Sequence, residues 1–255
     1  GNLVPNWSIT NLDGETGILD GTNSLSQQNG GTIPYEINIT TPGVYRFIWN
    51  SFYSGPNSAD ENDSWLRFPN NSDVWFFGHD NSTGSPGTEA QIIANLQGPQ
   101  SEIVFPIGSS RITSGTTPNG AGSNGYFKTY LAGGQPEVYQ WEAFTSDNDV
   151  HNIYVWFVNP GTYTMEISER SSGHAIDRIA MYKVDGPNYT GADLDGFPES
   201  QQETGGFPGA ADNSPYNVTV TAADACTPSL SSQVEFVWNV VDMPATGDPE
   251  ALIEI

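Results

Sequence analysis

A chain of 255 residues with seven basic against thirty acidic side chains carries a net charge of −23. That charge repels phosphate backbones and anionic lipid headgroups, so nucleic acid and membrane surfaces are poor partners, while cations such as Ca²⁺ are favoured. Cys226 is the single cysteine, which excludes an intramolecular disulfide and a thiolate zinc cluster, and no apolar run approaches the about 20 residues that span a bilayer. Gly, Asn, Ser, Thr and Asp are abundant, aromatics reach 12%, and no stretch has the Ala/Leu/Glu/Lys character of a long helix, so the expected class is all-β.

Residues 1–32 carry turn chemistry in NLDG and ILDGTN and read as a looped lead-in. GNLVPNW is neither basic nor followed by an apolar region, so any export signal is expected to have been removed, or the chain to be part of a larger protein. Strand patterns begin with IPYEINI and GVYRFIWNSF, where Tyr45, Phe47 and Trp49 share one face and Arg46 and Ile48 the other, and continue with SWLRFP after a polar loop. Residues 69–124 read as irregular, with QIIANL and EIVFPI as apolar pieces. From residue 125, YFKTYL, EVYQWEAF, HNIYVWFV, GTYTMEIS and HAIDRIAMYKV follow one another across turns at GGQP, SDND, NPG and RSSG. This rhythm predicts an antiparallel β-sandwich of jelly-roll type with long loops over 1–185, then a linker-like segment at 186–213. Strands at 214–255 either return to the sandwich or open a further small domain.

No nucleophile elbow, zinc-protease helix, phosphate loop or dinucleotide fingerprint is present. His79, His151 and His174 stand apart in sequence, and a lone His in a polar turn reads as solvated or ligand-contacting rather than as a base. Asp60, Glu61 and Asp63 share one loop, whereas a glycosidase pair needs two carboxylates about 5–9 Å apart across a cleft. DLDG at 193–196 opens like a calcium loop, but Phe197 and Pro198 follow, and a linker is the better reading.

Sugars present apolar C–H faces and hydroxyls, so Trp or Tyr beside Asp, Asn, Arg and Glu is the expected binding inventory. Glu61, Asn62 and Asp63 border Trp65; Trp141 precedes Asp147, Asn148 and Asp149; Arg170 and His174 share the next hairpin. Trp65 and Trp141 read equally as core or platform, whereas Trp49, Trp156, Phe157, Tyr163, Ile167 and Ile176 read as core. Arg67, Arg170 and Arg178 have Glu166 or Asp177 as natural partners.

ENDSWLRF (61–68), GYFKTY (125–130), PGTYTMEISERSSGHAIDRIAMY (160–182) and FPES (197–200) resemble the non-catalytic carbohydrate-binding modules attached to polysaccharide-degrading enzymes of marine bacteria. The resemblance is to the family 6, family 35 and malectin-like modules, which are galactose-binding-domain-like β-jelly rolls. It covers roughly residues 33–200, with PG-x-Y-x-x-x-I-S paired to IDRI as its most specific part. It implies sugar binding by loops at one end of the sandwich and a structural Ca²⁺, for which Asp177 and Glu36 are the candidate ligands.

The expected function is therefore non-catalytic binding of a cell-wall or algal polysaccharide or oligosaccharide by a secreted or cell-surface protein, with a catalytic domain on the same full-length chain. A red-algal galactan such as agarose or porphyran is the first expected ligand. Alginate and other anionic polymers are disfavoured by the charge unless Ca²⁺ or arginines compensate. A glycoside hydrolase or polysaccharide lyase with acids on the long loops, and a cell-surface adhesion domain, are the alternatives.

Overall fold

The computed structural model describes residues 6–200, apart from 22–24, 26–30, 56–59, 70–71, 84–85, 99–101, 113–115, 121 and 134, together with the backbone of three strands beyond residue 215. The strands are β1 (Trp7–Leu12), β2 (Glu15–Asp20), β3 (Ile33–Ile39), β4 (Gly43–Tyr53), β5 (Asp63–Arg67) and β6 (Val74–Asp80), followed by helix α1 (Glu89–Leu96). After α1 come β7 (Ile103–Val104), β8 (Phe127–Tyr130), β9 (Gln140–Trp141), β10 (Phe144–Thr145), β11 (His151–Phe157), β12 (Gly161–Ser168) and β13 (His174–Lys183). Helix α2 (Gly191–Asp195) and strands β14 (Tyr216–Ala223), β15 (Ser231–Trp238) and β16 (Ala251–Glu254) complete the order.

Two compact units result. One comprises residues 1–200 and 249–255, the other residues 201–248. The second holds β14 and β15 as an antiparallel pair, running from Tyr216 opposite Trp238 to Ala223 opposite Ser231. Cys226 lies outside the described residues.

In the first unit one antiparallel sheet runs β1-β2-β13-β4-β11-β10-β8-β5-β12-β3, with β6 also on β11, β7 on β6, β9 on β4 and β16 on β13. The sheet curls until its two halves face each other, and aromatic rings meet across the interior: Phe47 to Phe68 at 6.2 Å, Phe68 to Phe157 at 6.0 Å and Phe76 to Phe127 at 4.7 Å between centroids. The result is the all-β, jelly-roll-like sandwich that the strand rhythm predicts.

Alternation explains the strands with one wet face. In β3, Ile37 and Ile39 are buried while Pro34, Glu36 and Asn38 are exposed. Strand β4 is buried on both faces because it lies centrally: Tyr45, Phe47 and Trp49 enter the main core, while Val44 joins a second cluster under α1. Ile92 and Leu96 of α1 pack there on Phe77 and Tyr154.

Three segments depart from the sequence reading. Residues 7–20 are a hairpin, not a loop: Asp13 and Gly14 form its two-residue turn, with φ of 51° and 87°, between Leu12 and its partner Glu15. Asp-Gly suits the positive φ values that such turns require, and the polar flanks hid the strands. Within 69–124, VWFFGHD is β6, which pairs with β11 from Val74 opposite Phe157 to Asp80 opposite His151. EAQIIANL is a helix whose start is marked by a capping box, Thr88 with Gln91. Finally, Tyr189, Leu194 and Phe197 of the linker-like segment pack on Ala180 and Tyr182, and Asp193 of DLDG closes a second capping box with Thr190.

Candidate functional site

The structure joins several of the predicted sugar contacts, but in a buried ion network. Asp63 is wholly buried, accepts from Arg170 Nη1 at both carboxylate oxygens at 2.5 Å, and also accepts from the Ser171 hydroxyl. Lys128 lies 3.4 Å from Asp63 and 2.7 Å from Asp147, so this lysine, which nothing in the local sequence singles out, links the two loops. The Arg170 guanidinium also lies 4.9 Å from the centre of the Trp65 ring. Trp65 itself has no exposed surface, so its place is structural, not that of an open stacking platform. Asn62 is buried and donates to Leu131 O, and Glu61 is half-buried. Asp149 is exposed at the SDND turn, where Ser146 and Asn148 take positive φ.

Trp141 lies elsewhere, half-buried on the outer face of β13. Its Nε1 donates to Asp195 Oδ1 at 2.7 Å and Arg178 sits 5.6 Å from its ring centre. Trp156, expected in the core, is half-exposed on the outer face of β11, directly opposite Trp75, with the two rings 5.6 Å apart.

All three histidines are buried rather than solvated. His174 Nδ1 is 2.8 Å from Ser64 Oγ, a spacing that suits a Ser–His nucleophile pair, yet both residues have no accessible surface and His174 Nε2 has no partner. Burial pushes the imidazole down to about 3, so it stays neutral and serves as a core hydrogen-bonding group.

The candidate calcium ligands are not brought together. Asp177 is the extra residue of a bulge in β13, buried, and accepts from Arg178 Nε at 2.8 Å and from Asn50 at 3.4 Å. Glu36 is exposed on β3 and accepts from Thr164 at 2.9 Å. Flanking residues Ile176 and Ile37 both enter the main core, so the two carboxylates face outward from opposite layers. They do not supply one shared oxygen-ligand set.

A cleft of about 440 Å³ opens on the outer face of β4, β11 and β13. Arg46 forms its floor, directly opposite Tyr154 on one neighbouring strand and Tyr182 on the other. This row follows from parity, since Tyr45, Phe47, Ile153, Val155 and Met181 fill the core and the residues between them must face outward. Beyond Arg46, β4 parts from β11, and the guanidinium fills the gap. It donates to Phe47 O, to Ile153 O at 2.9 Å, to Ala143 O at 3.4 Å and to Asn152 Oδ1 at 2.8 Å. Asn152 passes the chain on to Asn81 Oδ1 at 3.0 Å. Lys183, with Nζ bonded to Pro42 O at 3.0 Å, and exposed Asn188 complete the polar wall.

Burial raises both tyrosine hydroxyls above their ordinary range, so they stay protonated and available as donors, while Arg46 opposes that shift. The guanidinium is itself pressed downward by burial but remains charged at any physiological pH. Sequence reasoning missed this cleft because Tyr154 lies in an apolar run. The available signal was an arginine in mid-strand, out of phase with Tyr45, Phe47 and Trp49. No family model, curated protein or solved structure matches the chain.

Proposed function

We propose that the protein is a non-catalytic carbohydrate-binding module, secreted or displayed at the cell surface, that holds an attached catalytic domain on a cell-wall or algal polysaccharide. A red-algal galactan is the first candidate. One observation carries the reading: the cleft over Arg46 has the size of a small-ligand site and gathers tyrosine hydroxyls, amides and cations on a rigid strand floor. Hydroxyl-rich ligands need such convergent donors and acceptors. The side chains lining it include no Asp, Glu or His, so the paired carboxylates of glycoside hydrolysis are not assembled there.

The test is electrophoretic retardation in gels cast with agarose, porphyran or plant cell-wall polysaccharides, with reducing-end release measured in parallel. Retardation without release is expected, weakened by Asn188→Ala and Tyr154→Phe at unchanged melting temperature. Release of oligosaccharide, or retardation indifferent to both substitutions, would overturn the reading.

A further inference from the structure

Four of the seven basic residues are matched to carboxylates. Arg67 meets Glu166 at 2.5 Å, Lys128 meets Asp147 at 2.7 Å, Arg170 meets Asp63 at 2.5 Å and Arg178 meets Asp177 at 2.8 Å. Arg46 differs. It is 9% exposed, and its hydrogen bonds go to three backbone carbonyls and one amide oxygen, all neutral. Those bonds use the four Nη hydrogens, and among the described residues the Nε–H has no acceptor. Lys183 lines the same cleft, with its nearest carboxylate, Glu89, at 3.8 Å and no acid on the cleft wall. A buried cation without a counter-charge is costly, and a ligand that brings one relieves that cost. In a chain of −23 charge, two of only seven basic side chains converge on a wall free of acids.

From this we infer that the cleft recognises an acidic sugar, whose oxyanion, a carboxylate or a sulfate ester, sits between Arg46 and Lys183. The proposal rests on the carbohydrate reading and narrows it. The hydroxyls of the same sugar ring meet Tyr154, Tyr182 and the asparagine amides. A neutral galactan segment fills the same volume but leaves Arg46 without its counter-charge. The distant acid excess is screened at about 0.15 M salt, where the Debye length is about 8 Å, so contact charge inside the cleft decides the preference.

Titration calorimetry of the full chain at that salt concentration with three tetrasaccharides, from agarose (neutral), carrageenan (sulfated) and polygalacturonate (carboxylated), tests the inference. At least one acidic tetrasaccharide is expected to bind about tenfold tighter than the neutral one, the gain of a charge-assisted contact. Lys183→Gln, a half-buried position tolerant of change, is expected to remove most of that preference while the neutral ligand binds as before. The ratio between the two acidic ligands identifies the group recognised. Arg46→Gln also strips three carbonyls of their donor and can unfold the chain, so the wild-type preference and Lys183→Gln carry the test. Equal binding of neutral and acidic ligands overturns the acidic assignment and leaves the carbohydrate reading standing. Acidic preference that Lys183→Gln does not alter places the anion elsewhere and overturns this site. Binding of none of the three overturns the carbohydrate reading itself.

Discussion

Arg170 holds both carboxylate oxygens of Asp63 through a single Nη nitrogen, at 2.5 Å each, where Asp63 has no accessible surface. The pair ties the β12–β13 turn to the first residue of β5, and the Arg170 backbone N–H donates to Asp20 Oδ2 at 2.6 Å, which brings the β1–β2 hairpin into the same junction. Removing one partner leaves the other charged and buried. Asp63→Asn is expected to lose about 3 kcal/mol, the lower end for a broken buried pair, because Lys128 also loses an anion but keeps Asp147. Urea unfolding measures it, and a loss under 1 kcal/mol would mean that the pair is solvated.

His174 makes stability acid-sensitive. The unfolded chain takes up a proton near pH 6.5, whereas burial holds the folded imidazole at about 3. Between those values the unfolded state binds more protons, so stability falls as pH drops through this window, by up to about 1.4 kcal/mol per pH unit. Above pH 6.5 the contribution is constant. His174→Gln is expected to flatten the slope of unfolding free energy between pH 6 and pH 4; an unchanged slope would assign the acid sensitivity to carboxylates.

Trp65 and Trp141 separate by burial. Trp65→Ala empties a fully enclosed site and is expected to cost about 3–5 kcal/mol. Trp141→Ala, at a half-buried ring whose main polar link is to Asp195, is expected to cost less than half as much and to loosen α2. Thermal melts with hydrogen exchange over residues 186–200 check both.

The hairpin turn and the α1 cap are local tests. Gly14→Val meets no atom within 4 Å, so its expected cost of about 1–2 kcal/mol is backbone strain at φ +87°. Thr88→Ala removes the α1 cap and is expected to cost about 1 kcal/mol, with faster amide exchange in residues 89–96. Chemical denaturation measures both.

Tertiary placement reversed several readings for identifiable reasons. Glu61, Asn62, Asp63, Trp65, Arg170 and His174 have the residue types of a sugar site, yet five of the six are buried, because the same polar and aromatic groups also satisfy one another inside a protein. β6 was masked by Gly78, His79 and Asp80, whose polar character is accommodated only because β11 and β7 flank the strand. Arg67 with Glu166, and Arg178 with Asp177, were legible because the charges of each pair sit on adjacent strands or adjacent residues.

By itself the amino-acid sequence determined the all-β class, the cross-strand alternation of β3, β4, β11, β12 and β13, and the division of β4 into a face with Tyr45, Phe47 and Trp49 and a face with Arg46. Those properties depend on a period of two along one strand and need no partner. Only the tertiary structure decided which polar residues are enclosed and which line a cleft. It set Tyr154 and Tyr182 on either side of Arg46. That row depends on the register of three strands distant in sequence, and the register is chosen by how the opposite faces pack in the shared core.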